Sequence, residues 1–294
     1  MNQPSIRPTA TRTLLRPVAV ALSSPPFPAL PLTAAVTALL LPAAVAENYA
    51  SSVVQYLPGV GAAVGYDQPA SVLGEPSRIT PGDFGGPVDP FSGPWQSGQL
   101  VSLGAGGSLT IRFASPVFNS PGNPYGLDFS IFGSAAFMIT NGDFTGGGIT
   151  DGSMFGSAAG ETRVSVSADG STFYLLDPAR APIVDGLFPT DGGGDFTRPV
   201  NPSLTAADFS ARGLAGIREL YAGSGGGTGY DLAWARDGSG QAVPLDHIEY
   251  VRIDVLSDRA EIDALVAVPE PGAGWLLGLG AGLWLLTRAQ SRRP

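Results

Sequence analysis

The chain of 294 residues contains no cysteine, and all 16 of its basic residues are arginine because it also lacks lysine. Without cysteine there are no disulfides, no cysteine-ligated zinc sites and no thiol nucleophile. Without lysine there is no P-loop lysine to hold a nucleotide phosphate. The chain has one histidine, His247, and no G-x-S-x-G sequence, so a serine-hydrolase triad is not expected and we interpret His247 as a structural or surface residue.

Charge is distributed unevenly along the chain. Neither the first 46 residues nor the last seven contain an acidic residue, so all 25 acidic residues lie between them, where they face ten arginines. An acidic surface repels nucleic acid and anionic lipid. We therefore do not expect a nucleic-acid partner, and the middle of the chain has the charge of a soluble, exported domain.

The first 46 residues have the features of a secretory signal peptide. Arginines precede the apolar stretch LTAAVTALLLPAAVA, and Ala44 and Ala46 place small residues at the −3 and −1 positions of a cut before Glu47. A membrane-anchored N-terminus is the alternative, but the apolar run is short and Pro42 interrupts it. We expect residues 1–46 to be removed on export.

Residues 269–294 combine Pro269, Glu270 and Pro271 with an uncharged apolar run and a basic tail. The run is shorter than the roughly 20 residues of a usual transmembrane helix, but it can span with help from its flanks. By the positive-inside rule, the arginines after it stay in the cytoplasm and the preceding domain stays outside. These stop-transfer residues are Arg288, Arg292 and Arg293.

This tail resembles the PEP-CTERM sorting signal. That family's signal is recognised by exosortase, a membrane-embedded cysteine protease of Gram-negative bacteria. The resemblance implies an inner-membrane intermediate, cleavage near the Pro-Glu-Pro motif, and delivery to the cell surface or to the extracellular polysaccharide matrix of a biofilm. Because proline prevents a helix from continuing into the motif, an extended and accessible peptide is expected there. A permanent single-span anchor is the alternative.

Between these ends, residues 47–268 alternate short apolar runs with glycine- and proline-rich turns. The segment TRVSVSADGSTFYLL predicts a hairpin that turns at Asp169-Gly170. Other predicted strands cover residues 108–113, 125–132, 248–256 and 261–268, the last two as a closing pair. The pattern predicts one all-β domain, a β-sandwich.

One segment, TAADFSARGLAGIRELYAG, breaks the strand pattern. It offers Thr205 as an N-cap, apolar residues at helical spacing, and Gly223 as a stop. It predicts a short helical segment near 205–221 that is broken near Gly213.

Several strings of the domain resemble exported bacterial surface proteins, some of which carry PEP-CTERM tails. The hairpin is also similar to one in discoidin-like, galactose-binding-like jelly rolls, many of which bind glycans. The resemblance implies a jelly-roll β-sandwich, but none of the strings is a catalytic motif. They are SLGAGGSLTIRF, YGLDFSIFGSAAF, ETRVSVSADGSTFYLL and GTGYDLAWARDGSGQAVPLDHIEYVRIDV.

Calcium is the cofactor that the sequence favours most, because it binds several oxygen ligands on tight turns. The segment NGDFTGGGITDG offers Asn141, Asp143 and Asp151, although its spacing is not that of an EF-hand. The alternative is that these side chains only cap their own turns.

Aromatic side chains in loop-like sequence are candidates for stacking on sugar rings. Trp95, in PFSGPWQSG, and Tyr125 are the two candidate ligand-binding residues, whereas Trp234, in the alternating YDLAWA, is expected in the core.

The function favoured by the sequence is that of a non-catalytic surface or matrix protein with a structural, adhesive or glycan-binding role. The alternative is a secreted polysaccharide hydrolase that uses a pair of carboxylates. Acidic residues near the closing strands are candidates for that pair, although solvated strand faces explain them more simply. These residues are Asp254, Asp258, Glu261 and Asp263.

Overall fold

A computed structural model describes residues 48–156, 160–186 and 188–270. The predicted signal peptide with its cleavage site, Pro271 and the predicted C-terminal span with its arginines lie outside the described residues. Among the described residues, no helix has the length and apolar character that crossing a membrane requires.

The described part of the chain is all-β. Its strands are β1 (Ala50–Leu57), β2 (Ile79–Thr80), β3 (Gly86–Pro87), β4 (Val101–Gly104), β5 (Ser108–Phe118), β6 (Phe129–Gly133), β7 (Ala136–Phe137), β8 (Ile149–Thr150), β9 (Met154–Phe155), β10 (Thr162–Ser167), β11 (Tyr174–Leu176), β12 (Arg212–Gly213), β13 (Thr228–Tyr230), β14 (Ala235–Arg236), β15 (His247–Val255) and β16 (Arg259–Ala267). Its α-helices are α1 (Ala206–Phe209) and α2 (Leu214–Tyr221), and 3-10 turns cover Pro69–Val72, Pro124–Gly126 and Leu232–Trp234.

The large sheet has six antiparallel strands in the order β1-β5-β15-β10-β11-β14. Its strand β15 has one buried face and one wet face. In β15, Val251 and Ile253 are buried whereas Arg252 and Asp254 on the other face are half-exposed. This is the period-2 pattern of a sheet with one face in solvent.

The small sheet has four antiparallel strands in the order β13-β6-β16-β4. Both of its faces are covered: every residue of β6 is buried, and so is β16 from Ile262 onward. Phe129 and Ile131 face the large sheet and share one apolar core with its inner side chains. Tyr230 of β13 stacks on Phe129 within this core, with ring centroids 5.2 Å apart.

Long connections pack against the outer face of the small sheet and form what we call the loop layer, residues 75–95, 134–156, 184–186 and 188–227. Phe132 of β6 points into it and meets Phe196 edge-on, with ring centroids 5.3 Å apart. The layer has an apolar cluster of its own, which includes the helices. Its buried members are Phe137, Phe188, Val200, Phe209, Ile217 and Tyr221.

The predicted closing pair is wrong. β15 and β16 do not pair with each other: β15 lies between β5 and β10 in the large sheet, and β16 lies between β6 and β4 in the small one. The chain crosses from one sheet to the other at residues 256–258, where Asp258 has a φ of 60°. Alternation predicts a strand but carries no information about its partner.

The hairpin and the broken helix are confirmed. β10 and β11 pair antiparallel, with Ser165 opposite Leu175. Thr205 and Asp208 form a capping box at the start of α1, which ends at Phe209, and β12 at Arg212–Gly213 separates it from α2. The second helix ends at Tyr221, because Ala222 adopts the left-handed conformation one residue before the predicted stop.

Candidate functional site

A cavity of about 330 Å³ opens beside the outer face of the small sheet, and we call it the Trp95 cavity. Four aromatic side chains line it, together with two polar side chains on its inner side. The aromatic residues are Tyr66, Phe91, Trp95 and Phe155, the two inner polar residues are Ser134 and Glu261, and Ser92 is a third polar residue of the lining. Aromatic faces next to a few polar groups are the usual composition of a ligand site.

Trp95 is held in place through its backbone. The hydroxyl of Tyr66 donates a hydrogen bond to the Trp95 carbonyl. Gly93 allows the same loop to approach the sheet, since a Cβ there would lie 2.6 Å from the carbonyl oxygen of Ser134. The indole itself remains 44% exposed, which confirms the predicted exposure of Trp95.

The inner side of the cavity is a hydrogen-bonded group of three side chains. Ser134 Oγ lies 2.9 Å from Glu261 Oε2 and 3.1 Å from Asp185 Oδ2. The Ala135 N–H donates to Asp185 Oδ1 at 2.9 Å. Arg259 Nε lies 3.6 Å from the other carboxylate oxygen of Glu261. Glu261 therefore reaches the cavity, and Asp185 lies behind it.

Burial raises the pKa of Asp185 well above its usual range, and the negative charge of Glu261 raises it further. Hydrogen bonds from Ala135 and Ser134 act in the opposite direction. A hydroxyl has one hydrogen to donate, so Ser134 cannot donate to both carboxyl groups. Ser134 Oγ also lies 3.1 Å from the Gly156 carbonyl, so three acceptors share its one hydrogen. Contacts with Ser134 and Arg259 hold the Glu261 carboxylate in its orientation at the cavity.

The four acidic residues near the closing strands do not form a cluster. Asp254 pairs with Arg252 at 2.7 Å on the wet face of the large sheet. Asp258 lies in the crossing turn. Asp263 is buried under the loop layer, where it accepts hydrogen bonds from Ser77 N and Oγ at 2.8 Å each. Of the four, Glu261 alone lines the Trp95 cavity.

The residues of the predicted calcium loop cap turns. Asp143 Oδ1 accepts a hydrogen bond from Thr145 N, and Asp151 Oδ1 accepts one from Ser153 N, both at 2.9 Å. Hydrogen bonds from the Thr145 and Ser153 side chains are the largest of several that lower the pKa values of these two exposed carboxyls. Asn141 Oδ1 accepts from Asp143 N at 3.3 Å. No three His, Cys, Asp or Glu side chains of the described residues gather as metal ligands, and calcium here stays a prediction.

The other singled-out residues lie apart from the Trp95 cavity. Tyr125 is 55% exposed in the 3-10 turn before β6 and is not among the residues that line the cavity. Trp234 is half-buried and packs against the main core. The ring of His247 lies 5.9 Å from that of Phe118, where the paired interior strands β15 and β5 begin and end, respectively.

A depression of about 460 Å³ lies beside β11 and β14 at the edge of the large sheet. Three charged side chains line it, of which Asp177 and Arg236 pair with each other at 3.2 Å and Asp237 is the third, and Phe173 is its one aromatic residue. We prefer the Trp95 cavity as the functional site because several aromatic faces converge there on an oriented carboxylate.

Sequence reasoning missed Ser134, Asp185 and Phe155. Asp185 precedes Gly186, which is typical of an ordinary turn, Ser134 lies in YGLDFSIFGSAAF without any motif that marks a site, and Phe155 lies in a short glycine-flanked segment. No protein-family model matches the chain, and no similar sequence was found among curated proteins. The site is therefore interpreted from its own geometry.

Proposed function

We propose that this chain is an exported, non-catalytic surface or matrix protein that binds a glycan in the Trp95 cavity. One observation carries the proposal: the half-exposed indole of Trp95 lies in the same cavity as the oriented carboxylate of Glu261. An aromatic face packs against the C–H groups of a sugar ring, and a carboxylate accepts hydrogen bonds from its polar substituents. The volume of the cavity is at the small end of the range for ligand sites.

For the fold, we propose a jelly-roll β-sandwich of the galactose-binding-like type. Two antiparallel sheets that contribute to one apolar core support it, and so does the β10–β11 hairpin. Many proteins with this fold bind glycans, which agrees with the proposed site, although fold alone does not establish function.

For delivery, we propose export by the N-terminal signal, with cleavage after Ala46, and sorting by exosortase at the C-terminal PEP-CTERM segment. Val268 N is still hydrogen-bonded to the Asp128 carbonyl, whereas Pro269 and Glu270 are exposed. Tyr49 forms a bridge with Val266, so the two ends of the described residues meet at the small sheet.

Replacing Pro269, Glu270 and Pro271 with alanine tests the sorting proposal. We expect an unprocessed, membrane-retained form of the variant, and a shorter wild-type protein at the surface, by mass spectrometry. A mature wild-type protein that keeps Trp284 and Arg293, with a variant that localises identically, would make the tail a plain anchor.

A glycan array with the full-length protein tests the binding proposal. We expect binding that falls at least tenfold in Trp95→Ala and Phe155→Ala, because each variant removes one aromatic face. Tyr125→Ala, an exposed aromatic outside the cavity, is the matched control and should bind like wild type. Binding that survives Trp95→Ala, or no binding to any glycan, would exclude this site.

One observation favours the alternative, a hydrolase: Asp185 and Glu261 both meet Ser134. A glycosidase places the scissile bond between its two carboxyls, however, and Asp185 is not among the residues that line the cavity. We expect no release of reducing sugar from a panel of polysaccharides. Release that disappears in Glu261→Gln would support hydrolysis and overturn the non-catalytic proposal.

A further inference from the structure

A second cavity of about 230 Å³ adjoins the Trp95 cavity, and Phe91 and Ser92 line both. We call it the Phe144 cavity, because the ring of Phe144 in its wall is 76% exposed. Each cavity alone is at or below the small end of known ligand sites, whereas the two together fall within that range. Side by side, they offer an extended site to a chain-like ligand.

The shared wall is fixed by hydrogen bonds and packing. Asp89 Oδ1 accepts from Phe91 N at 2.8 Å and from Ser92 N at 3.1 Å. Asp89 and Ser92 also exchange backbone hydrogen bonds, which close a tight turn around Phe91. The ring of Phe91 packs on the apolar cluster of the loop layer. The aromatic ridge between the cavities is therefore in place before a ligand binds, which reduces the entropy lost on binding.

Every charged side chain that lines the two cavities is acidic. Glu261 lies in the Trp95 cavity, and Asp89 and Asp143 lie in the Phe144 cavity. Arg259 approaches Glu261 from outside the lining, at 3.6 Å. Carboxylates pair with ammonium groups, and aromatic faces attract them as well. The same walls repel uronic acids and sulfated or phosphorylated sugars.

We propose that the ligand is a polymer of amino sugars with free ammonium groups, which lies as an extended chain along the Trp95 and Phe144 cavities. This inference rests on the proposed glycan-binding function and specifies its ligand class. Sugar rings stack on Trp95 in one cavity and on Phe144 in the other, and the ammonium groups face Glu261 and Asp143. Binding therefore strengthens with chain length until both cavities are filled.

Glucosamine oligomers of one to six units, compared with their N-acetylated counterparts by calorimetry with the full-length protein, test the proposal. We expect the Kd to fall at least tenfold between two and four units, and to be at least tenfold higher for the acetylated tetramer. Glu261→Gln should weaken dimer and tetramer alike, and Asp143→Asn or Phe144→Ala should weaken the tetramer selectively. Phe144 is exposed and Asp143 is half-buried, and neither belongs to an apolar cluster of the fold, so their replacement leaves the core intact.

A Kd that is flat between two and four units would overturn the extended site. Acetylated oligomers that bind as tightly as the free amines would overturn the ammonium preference and leave glycan binding standing. No binding to any oligomer or to any member of a wider glycan array would overturn the proposed function with it. Tyr125→Ala is the control, since that exposed aromatic lies outside both cavity linings.

Discussion

The two main sheets are both antiparallel, but they differ in their exposure to solvent. The large sheet has one face in water, whereas both faces of the small sheet are covered. On the wet face of the large sheet, arginines pair with carboxylates across exposed strands, as Arg112 does with Glu249 at 2.7 Å. On the outer face of the small sheet, Glu261 and Asp263 point toward the loop layer and accept hydrogen bonds from its side chains.

The contrast explains where the candidate site forms. A polar group that is removed from water must find partners in the protein, so the covered face holds oriented, hydrogen-bonded carboxyls. Where the loop layer leaves a gap beside Glu261, such a carboxyl faces a cavity with aromatic walls. On the wet face, solvent screens charge pairs such as Arg112 and Glu249, whose side chains are partly exposed.

The largest expected effect tests whether the loop layer is a true second core. Phe132→Ala should lower the free energy of unfolding by about 3–5 kcal/mol, because the ring is fully buried between β6 and the layer. Tyr250→Ala, on the wet face of the large sheet, should cost less than about 1.5 kcal/mol. Urea unfolding monitored by circular dichroism gives both values, and equal losses would contradict the comparison.

The next largest effect is the pH dependence of the free energy of unfolding, which we expect from Asp263. Burial raises the pKa of Asp263 to about 7, against about 3.9 when unfolded. The native state binds the Asp263 proton more tightly than the unfolded state does, so protonation of Asp263 stabilises the fold. This contribution to the free energy of unfolding is fully present below about pH 4 and is lost as the pH rises through about 7, a change of about 4 kcal/mol.

Urea unfolding of Asp263→Asn from pH 4 to pH 8 measures this contribution. Stability of the wild type relative to the variant should fall with rising pH over that window. Asp254→Asn is the matched control on the wet face, and an identical pH slope in the two variants would contradict the assignment.

A smaller effect is expected at Asp191, a carboxylate of the loop layer that is 2% exposed. Arg218 Nε and Nη2 donate to it at 2.7 and 2.8 Å. Arg218→Met should cost about 1–2 kcal/mol, because it leaves a buried carboxylate without its main partner, although half of the Arg218 side chain is solvated. Arg252→Met, which breaks an ion pair on the wet face, should cost about 0–1 kcal/mol.

The smallest effect is expected for Arg112 and Glu249. A double-mutant cycle should give a coupling of about 0.2–1 kcal/mol, which declines as salt is added, because both side chains are partly solvated. A coupling above about 2 kcal/mol that persists in high salt would mean that this face is also covered in the protein.

Period-2 alternation predicted β15 well, because one side of that strand faces water and the other faces the core. It also predicted a strand at 108–113, although β5 is buried on both sides from Ser108 to Ile111 and continues to Phe118. Applied to the predicted strand 125–132, alternation places Leu127, Phe129 and Ile131 on one face and leaves the opposite face open to solvent, whereas β6 itself begins at Phe129. Phe132 and Ser130 are buried as well, because the loop layer covers them. Apolar and polar residues alternate in a strand when one side faces the core and the other faces water. The pattern is therefore a weaker predictor of burial wherever both sides of a strand are buried.

Of the candidate site, the sequence predicted the exposure of Trp95, because proline and glycine around it indicate a loop. The sequence also placed Glu261 among four acidic candidates for a carboxylate pair, but nothing in the sequence distinguishes Glu261 from the other three. Asp185 is 76 residues before Glu261 in the sequence, and the two meet at Ser134 only when the loop layer packs on β16.

By itself, the sequence determined the local structure: strands from alternation, the β10–β11 turn from Asp169-Gly170, and the break between the helices near Gly213. These features depend on residues that are close together in the sequence, so the local order of residue types is enough to predict them. The tertiary structure alone decided that β15 and β16 lie in different sheets and that Glu261 lines a cavity. Both depend on contacts between distant segments, and many pairings satisfy the same pattern of apolar residues until packing selects one.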